Sequence, residues 1–183
     1  MPRAPKPVEH KLGVTIDRRG RTRLYPFTRY FKGFERNPTL VALWGPDTAR
    51  ALRRQKVEFF SARWGYMGTS DVDGHILISV NHLRNSDFRT VYLDLVHELC
   101  HVRQFQLGKP LFYPKLSYVD APSEIDAYRR TVLEGRRIGM TEKELFDYLH
   151  TEWITPVEHR RLARHCKLDK RFWSTPKKRR KKG

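Results

Sequence analysis

Between Asp87 and Leu107 apolar side chains recur every three or four residues, at Tyr92, Leu95, Val96, Leu99 and Val102. That spacing predicts one long helix with a buried side, and Gly108 and Pro110 are its stop signals. Inside it stands His97-Glu98-Leu99-Cys100-His101. Polar groups carried into a core must find partners there. Residues four apart share a helix face, so His97 and His101 can offer two imidazole nitrogens to one zinc ion (Zn2+), which takes such ligands at about 2.0 to 2.1 Å. Glu98 lies beside them and is the expected catalytic residue. A carboxylate there can take a proton from water whose pKa a metal has lowered to roughly 7, then deliver it to a leaving amine.

A catalytic zinc usually has three protein ligands and keeps its fourth position for water, so a third ligand must come from elsewhere. Glu124 is the expected one. It follows His101 by 23 residues in Pro-Ser-Glu-Ile-Asp-Ala-Tyr, near the start of a second predicted helix that a short loop would fold back on the first. Asp120 and Asp126 compete for the role, with His150 and His165 behind them. Asp120 suits the cap of that helix, and Asp126 is rotated by about 200° from Glu124. Glu124 also has the simpler reading of a first-turn acid favoured by the helix dipole. Cys100 reads as a small core residue.

Around these two helices the pattern is mixed. Residues 12 to 27 suggest a basic hairpin turning near Arg19 and Gly20, and residues 45 to 56, with Pro46 and Asp47 at their start and good helix formers after them, read as a short helix. A strand beginning at Val57 is expected to pair with His75–Val80 across the Asp73-Gly74 turn. Pro122 and Gly139 bracket the second helix, and Thr141/Glu144 and Thr155/Glu158 each form a capping-box pattern. The expected fold class is therefore α+β. It comprises a basic N-terminal arm or hairpin over residues 1–36, one catalytic domain over 37–165 and a basic disordered tail over 166–183.

Charge is unevenly spread. Residues 1–36 hold ten Lys/Arg against three acids, residues 160–183 hold twelve against one, and the 123 residues between hold fifteen against sixteen. A near-neutral middle between two cationic ends favours a polyanionic partner, and nucleic acid is the expected one. Two cysteines far apart give no disulfide framework, and no apolar run is long enough for a membrane span. The expected location is cytoplasmic, at the nucleoid, or nuclear in a eukaryote.

The HELCH motif followed by Ser123-Glu124-Ile125-Asp126-Ala127-Tyr128 resembles the gluzincin branch of the zincin metallopeptidases, most nearly the ImmA/IrrE-type and SprT-like enzymes. The resemblance covers roughly residues 75 to 140. It implies a zincin-like fold, with zinc held by His97, His101 and Glu124, Glu98 as general base, and hydrolysis of a protein or peptide substrate. It also implies that the strand His75–Val80 forms the sheet edge along which substrate lies. Ala127 fits the pattern by letting two helices approach. Ser123 stands where the longer signature has Asn, and Tyr128 stands where it has Asp. For the group that steadies the oxyanion, Tyr113, Tyr118, Tyr128 and His150 are all candidates.

Overall fold

The computed structural model describes residues 12–62 and 66–173. Residues 1–11 of the expected N-terminal arm and residues 174–183 of the expected basic tail lie outside the described residues. The fold is α+β. In chain order it runs β1 (Thr15–Ile16), β2 (Arg23–Pro26), α1 (Phe27–Tyr30), β3 (Phe31–Lys32), α2 (Pro38–Trp44), α3 (Thr48–Arg54), β4 (Lys56–Phe60), β5 (Met67–Thr69) and β6 (Ile76–Ser79). Five helices complete it: α4 (Val80–Asn85), α5 (Phe88–Gln106), α6 (Pro122–Arg137), α7 (Glu142–Tyr148) and α8 (Pro156–His165).

Four strands form a mixed sheet in the order β2-β4-β6-β5, and β1 pairs with β3 apart from it. This departs from the expected hairpin over residues 12–27. Thr15 and Ile16 pair with Lys32 and Phe31, whereas Arg23–Pro26 pair with β4. The stretch between them is pinned elsewhere: the Arg18 guanidinium donates to the carbonyls of Leu83 and Ser86 at 3.0 and 2.6 Å, closing the C-terminal end of α4. The segment read as a basic arm up to residue 36 supplies Phe27, Phe31 and Phe34 to the core, where Phe34 meets Tyr92 of α5 at 5.5 Å between ring centroids.

The Asp73-Gly74 turn does close a hairpin, but β5, not β4, is its other arm. Gly74 has φ +74°, and a β-carbon there would strike the Phe105 ring of α5, so glycine serves both the turn and the packing. The strand at Val57 does meet β6, in parallel register. Consequently β6 has neighbours on both sides and is interior. The expected substrate edge at His75–Val80 is corrected: the sheet edge beside α5 is β5.

α5 runs for 19 residues, about 28 Å. Asp87 caps it by accepting from the backbone N–H groups of Arg89 and Thr90 at 2.9 and 3.1 Å. Apolar contacts alone explain Val91, Leu95, Val96, Leu99 and Val102, but His97, Glu98, His101 and Gln104 are buried on the same helix. It is enclosed almost all round, between the sheet core and α6.

α6 packs along α5, with Ala127 fully buried between them. Pro122 occupies its first position, where the missing N–H costs nothing. Its N-cap is Ala121, with no side-chain cap, which corrects the role expected of Asp120. Asp120 ends a short 3-10 turn and instead binds His165 Nε2 at 3.2 Å and Arg161 Nε at 3.3 Å. At the other end Met140 N–H reaches the Gly135 carbonyl and Gly139 N–H the Arg136 carbonyl, both in the Schellman pattern, with Gly139 at φ +85°. Both capping boxes of α7 and α8 form. These helices bury Leu145, Leu149 and Leu162 in a second core cluster with Val132. Cys166 and Leu168 join that cluster, so packed structure continues past residue 165. Among the described residues no helix is long and apolar enough to cross a membrane.

Candidate metal centre and its cleft

Helical spacing brings His97 and His101 onto one face of α5, and the first turn of α6 sets Glu124 opposite them. The three donor atoms form a small triangle. His97 Nε2 and His101 Nε2 are 3.0 Å apart, His97 Nε2 and Glu124 Oε2 are 3.3 Å apart, and His101 Nε2 and Glu124 Oε1 are 3.4 Å apart. Ligands about 2.05 Å from a tetrahedral zinc stand about 3.3 Å from one another. The donor set, two imidazoles and a carboxylate, is one that zinc takes. Glu124 Oε2 is buried and makes no hydrogen bond among the described residues, which leaves a lone pair for a cation. Asp126 faces Gln104 and Arg130, His165 faces Asp120, and His150 packs its ring on His159, so none of the competing ligands reaches the triangle.

Burial works against a charged Glu124, but His101 and His97 more than offset it and hold the carboxyl well below the usual range. Burial likewise opposes a charged His101, yet the bond to Glu124 and its charge hold that imidazole up to about 9. Glu98, beside the triangle, is buried, and desolvation leaves its pKa raised despite the nearby imidazoles. The Thr69 hydroxyl, on edge strand β5, donates to Glu98 Oε2 at 2.8 Å. Thr69 therefore ties the carboxylate to the sheet edge, a role sequence reasoning did not find because 29 residues separate the pair.

Gln104 is a second unforeseen member. It is 4% exposed, its Oε1 lies 2.8 Å from His101 Nδ1, and its Nε2 donates to the Ser123 carbonyl at 3.1 Å and Asp126 Oδ2 at 3.2 Å. His97 Nδ1, by contrast, is buried without a hydrogen-bond partner among the described residues. The two departures from the longer signature have structural roles. The Ser123 hydroxyl donates to the Leu111 carbonyl at 3.0 Å, fixing the loop before α6. Tyr128 lays its ring 4.3 Å from that of His97.

The triangle lies in a cavity of about 600 Å³ lined by Tyr66–Thr69 of the sheet edge, by Leu111 and Phe112, and by Tyr118 and Trp153. A second cavity, about 530 Å³, shares His97, Glu98 and Tyr118 and extends towards Asp94, Tyr148 and His150. Asp94 anchors its floor, with His82 Nε2 at 2.7 Å and the Tyr148 hydroxyl donating at 2.8 Å. Of the four oxyanion candidates, Tyr118 lines both cavities, Tyr128 and His150 line the second, and Tyr113 lines neither. The Tyr118 hydroxyl bonds that of Tyr128 at 2.9 Å, and burial with the neighbouring Tyr128 and Glu124 raises its pKa well above the ordinary value. Tyr118 thus stays a protonated donor. Among the described residues lining the two cavities none is Lys or Arg, while Asp71, Asp94, Glu98, Glu124, Asp147 and Glu152 are acidic. Cys100, buried with its thiol pushed up to about 12 by desolvation, belongs to the packing. No protein-family model, no curated protein and no solved structure matches this chain.

Proposed function

We propose that the chain is a zinc-dependent metallopeptidase with a zincin-like fold. The observation that carries the reading is the triangle of His97 Nε2, His101 Nε2 and Glu124 carboxylate oxygens, with edges of 3.0 to 3.4 Å, placed in a cleft next to a buried carboxylate. Zinc held there supplies the Lewis acidity that makes water a nucleophile near neutral pH.

The chain's own groups supply the rest. Thr69 occupies Glu98 Oε2, so Oε1 is the oxygen left to accept a proton from the attacking water. Glu98 then returns that proton to the amine nitrogen as the C–N bond breaks, acting first as base and then as acid. Tyr118 donates its O–H to the carbonyl oxygen as negative charge develops there. Among the described residues no strand pairs with the outer side of edge strand β5, and an extended protein or peptide substrate gains hydrogen bonds by lying along it. The cationic chain ends favour a substrate held on nucleic acid.

Metal analysis of purified protein tests the centre: wild type is expected to hold one zinc, and Glu124→Ala to lose it. Glu98→Gln is expected to keep zinc and lose peptide cleavage. If Glu98→Gln leaves the biological activity whole while nucleic-acid binding persists, the chain is instead a nucleic-acid-binding protein with a non-catalytic core.

A further inference from the structure

We infer that Gln104 is a positioning residue of the metal centre, fixing the His101 tautomer and at the same time locking the start of α6, and with it Glu124, to α5. The inference rests on the zinc reading above.

The neighbours of the Gln104 amide fix its orientation. Two groups stand near Gln104 Nε2, the Ser123 carbonyl and the Asp126 carboxylate, and each can only accept a hydrogen bond. The NH2 end must therefore face them, which leaves Oε1 facing His101. Oε1 can only accept, so the hydrogen on the His101 ring sits on Nδ1. In the neutral ring His101 Nε2 then carries the free lone pair, pointed towards Glu124, the form in which an imidazole ligates a metal. No such partner orients His97, whose Nδ1 is unbonded among the described residues. Gln104 is thus the side chain that makes one of the two imidazoles a ready ligand.

The other half of the same amide acts on the third ligand. Ser123 immediately precedes Glu124, and its carbonyl is held by Gln104 across the helix interface at 3.1 Å. Asp126 is held from the other side by Arg130 at 3.1 Å, so the amide meets a carboxylate that cannot swing away freely. Burial of Gln104 to 4% exposure removes water as a substitute for either half. One side chain, three residues beyond His101, couples ligands on two helices.

Zinc affinity, measured by competition with a chromophoric chelator, separates this role from simple packing. Gln104→Met keeps size and burial but offers neither acceptor nor donor, and is expected to weaken zinc binding about 10- to 100-fold. Gln104→Glu keeps the acceptor for His101 but sets a carboxylate against Ser123 and Asp126. Adding Asp126→Asn to it restores a donor across the interface at one of the two contacts, and the double variant is expected to recover part of the affinity lost by Gln104→Glu alone. Nitrogen-15 NMR of the His101 ring in the zinc-free protein, recorded at a pH above the value of about 9 to which Glu124 holds that imidazole, should show the Nδ1–H form in wild type and a mixture in Gln104→Met. If Gln104→Met is too unstable to purify, the Glu/Asn pair carries the test alone. Zinc binding within twofold of wild type in Gln104→Met, or no recovery in the double variant, overturns the role of Gln104. A wild-type chain that binds no zinc overturns the underlying centre instead, and the two failures are distinguishable by the wild-type titration.

Discussion

Replacing Glu134 with Gln should destabilise the fold by about 1–3 kcal/mol without touching the metal centre. Glu134 is 1% exposed in α6, yet it is the hub that joins three parts of the chain. Its Oε1 accepts from Tyr92 of α5 at 2.5 Å, from Asn37 at the start of α2 at 3.0 Å, and from Arg137 at 2.6 Å. Its Oε2 accepts from Thr39 at 3.2 Å and again from Arg137 at 2.9 Å. An amide keeps one acceptor oxygen and turns the other into a donor that faces donors. Arg137 is 43% exposed and can turn to water, so its share is discounted. What is left is the conflict with a buried hydroxyl or amide, about 1–3 kcal/mol for each group left unsatisfied. For a chain of this size that corresponds to a fall in Tm of roughly 3–10 °C. The pH dependence gives the sign. Burial pushes the Glu134 pKa upward, but Arg137 and Tyr92 more than offset it, and the folded value lies below the unfolded one. Stability from this carboxylate is therefore complete above about pH 4.3 and lost as pH falls through the folded value. Urea unfolding of wild type and Glu134→Gln at pH 7, 5 and 3.5 should show a gap that is full at the first two and shrinks at the last. A gap that is absent, or equal at all three, would refute the reasoning.

Three further outcomes follow from the cleft and the chain ends. Thr69→Val removes the hydroxyl that holds Glu98 Oε2, so kcat should fall roughly ten- to hundredfold while zinc content stays at wild type; unchanged kcat in steady-state peptide hydrolysis would remove Thr69 from the site. Because acids and no Lys or Arg line the cavities among the described residues, peptides carrying Lys or Arg should be cleaved with higher kcat/KM than the same peptides carrying Glu, and the ratio should shrink with added salt. Deleting residues 176–183 removes six Lys/Arg, so nucleic-acid affinity should drop and its dependence on salt should become shallower, as read by fluorescence anisotropy across a salt series. Affinity that ignores both salt and the deletion would exclude the chain's C-terminal end as the contact.

How far the sequence reached depends on the distance over which each signal acts. Capping boxes at Thr141 and Thr155 were legible because cap and acid are three residues apart, and the α5 repeat because one helix generates it. Glu124 was singled out by its place in the first turn of the next helix, and the structure brings it to the two histidines although residues 107–121 separate the helices. The edge strand was misplaced: Asp73-Gly74 announces a hairpin but does not say which upstream run returns to it, and three residues, Met67–Thr69, leave little periodicity to read. The aromatic residues of α1 and β3 were hidden by the arginines and lysines among them, although burial follows the rings and leaves the charged tips outside. Gln104 and Asp94 were nevertheless within reach. Asp94, His97, His101 and Gln104 are spaced by three, four and three residues, a polar stripe along a helix that otherwise buries Val91, Leu95, Val96, Leu99 and Val102. A stripe that is largely buried is poorly solvated, so its members seek partners on other elements, and the residues that supply those partners outline the site. Read this way, the apolar repeat locates the helix, and its polar interruptions mark the face on which chemistry is placed.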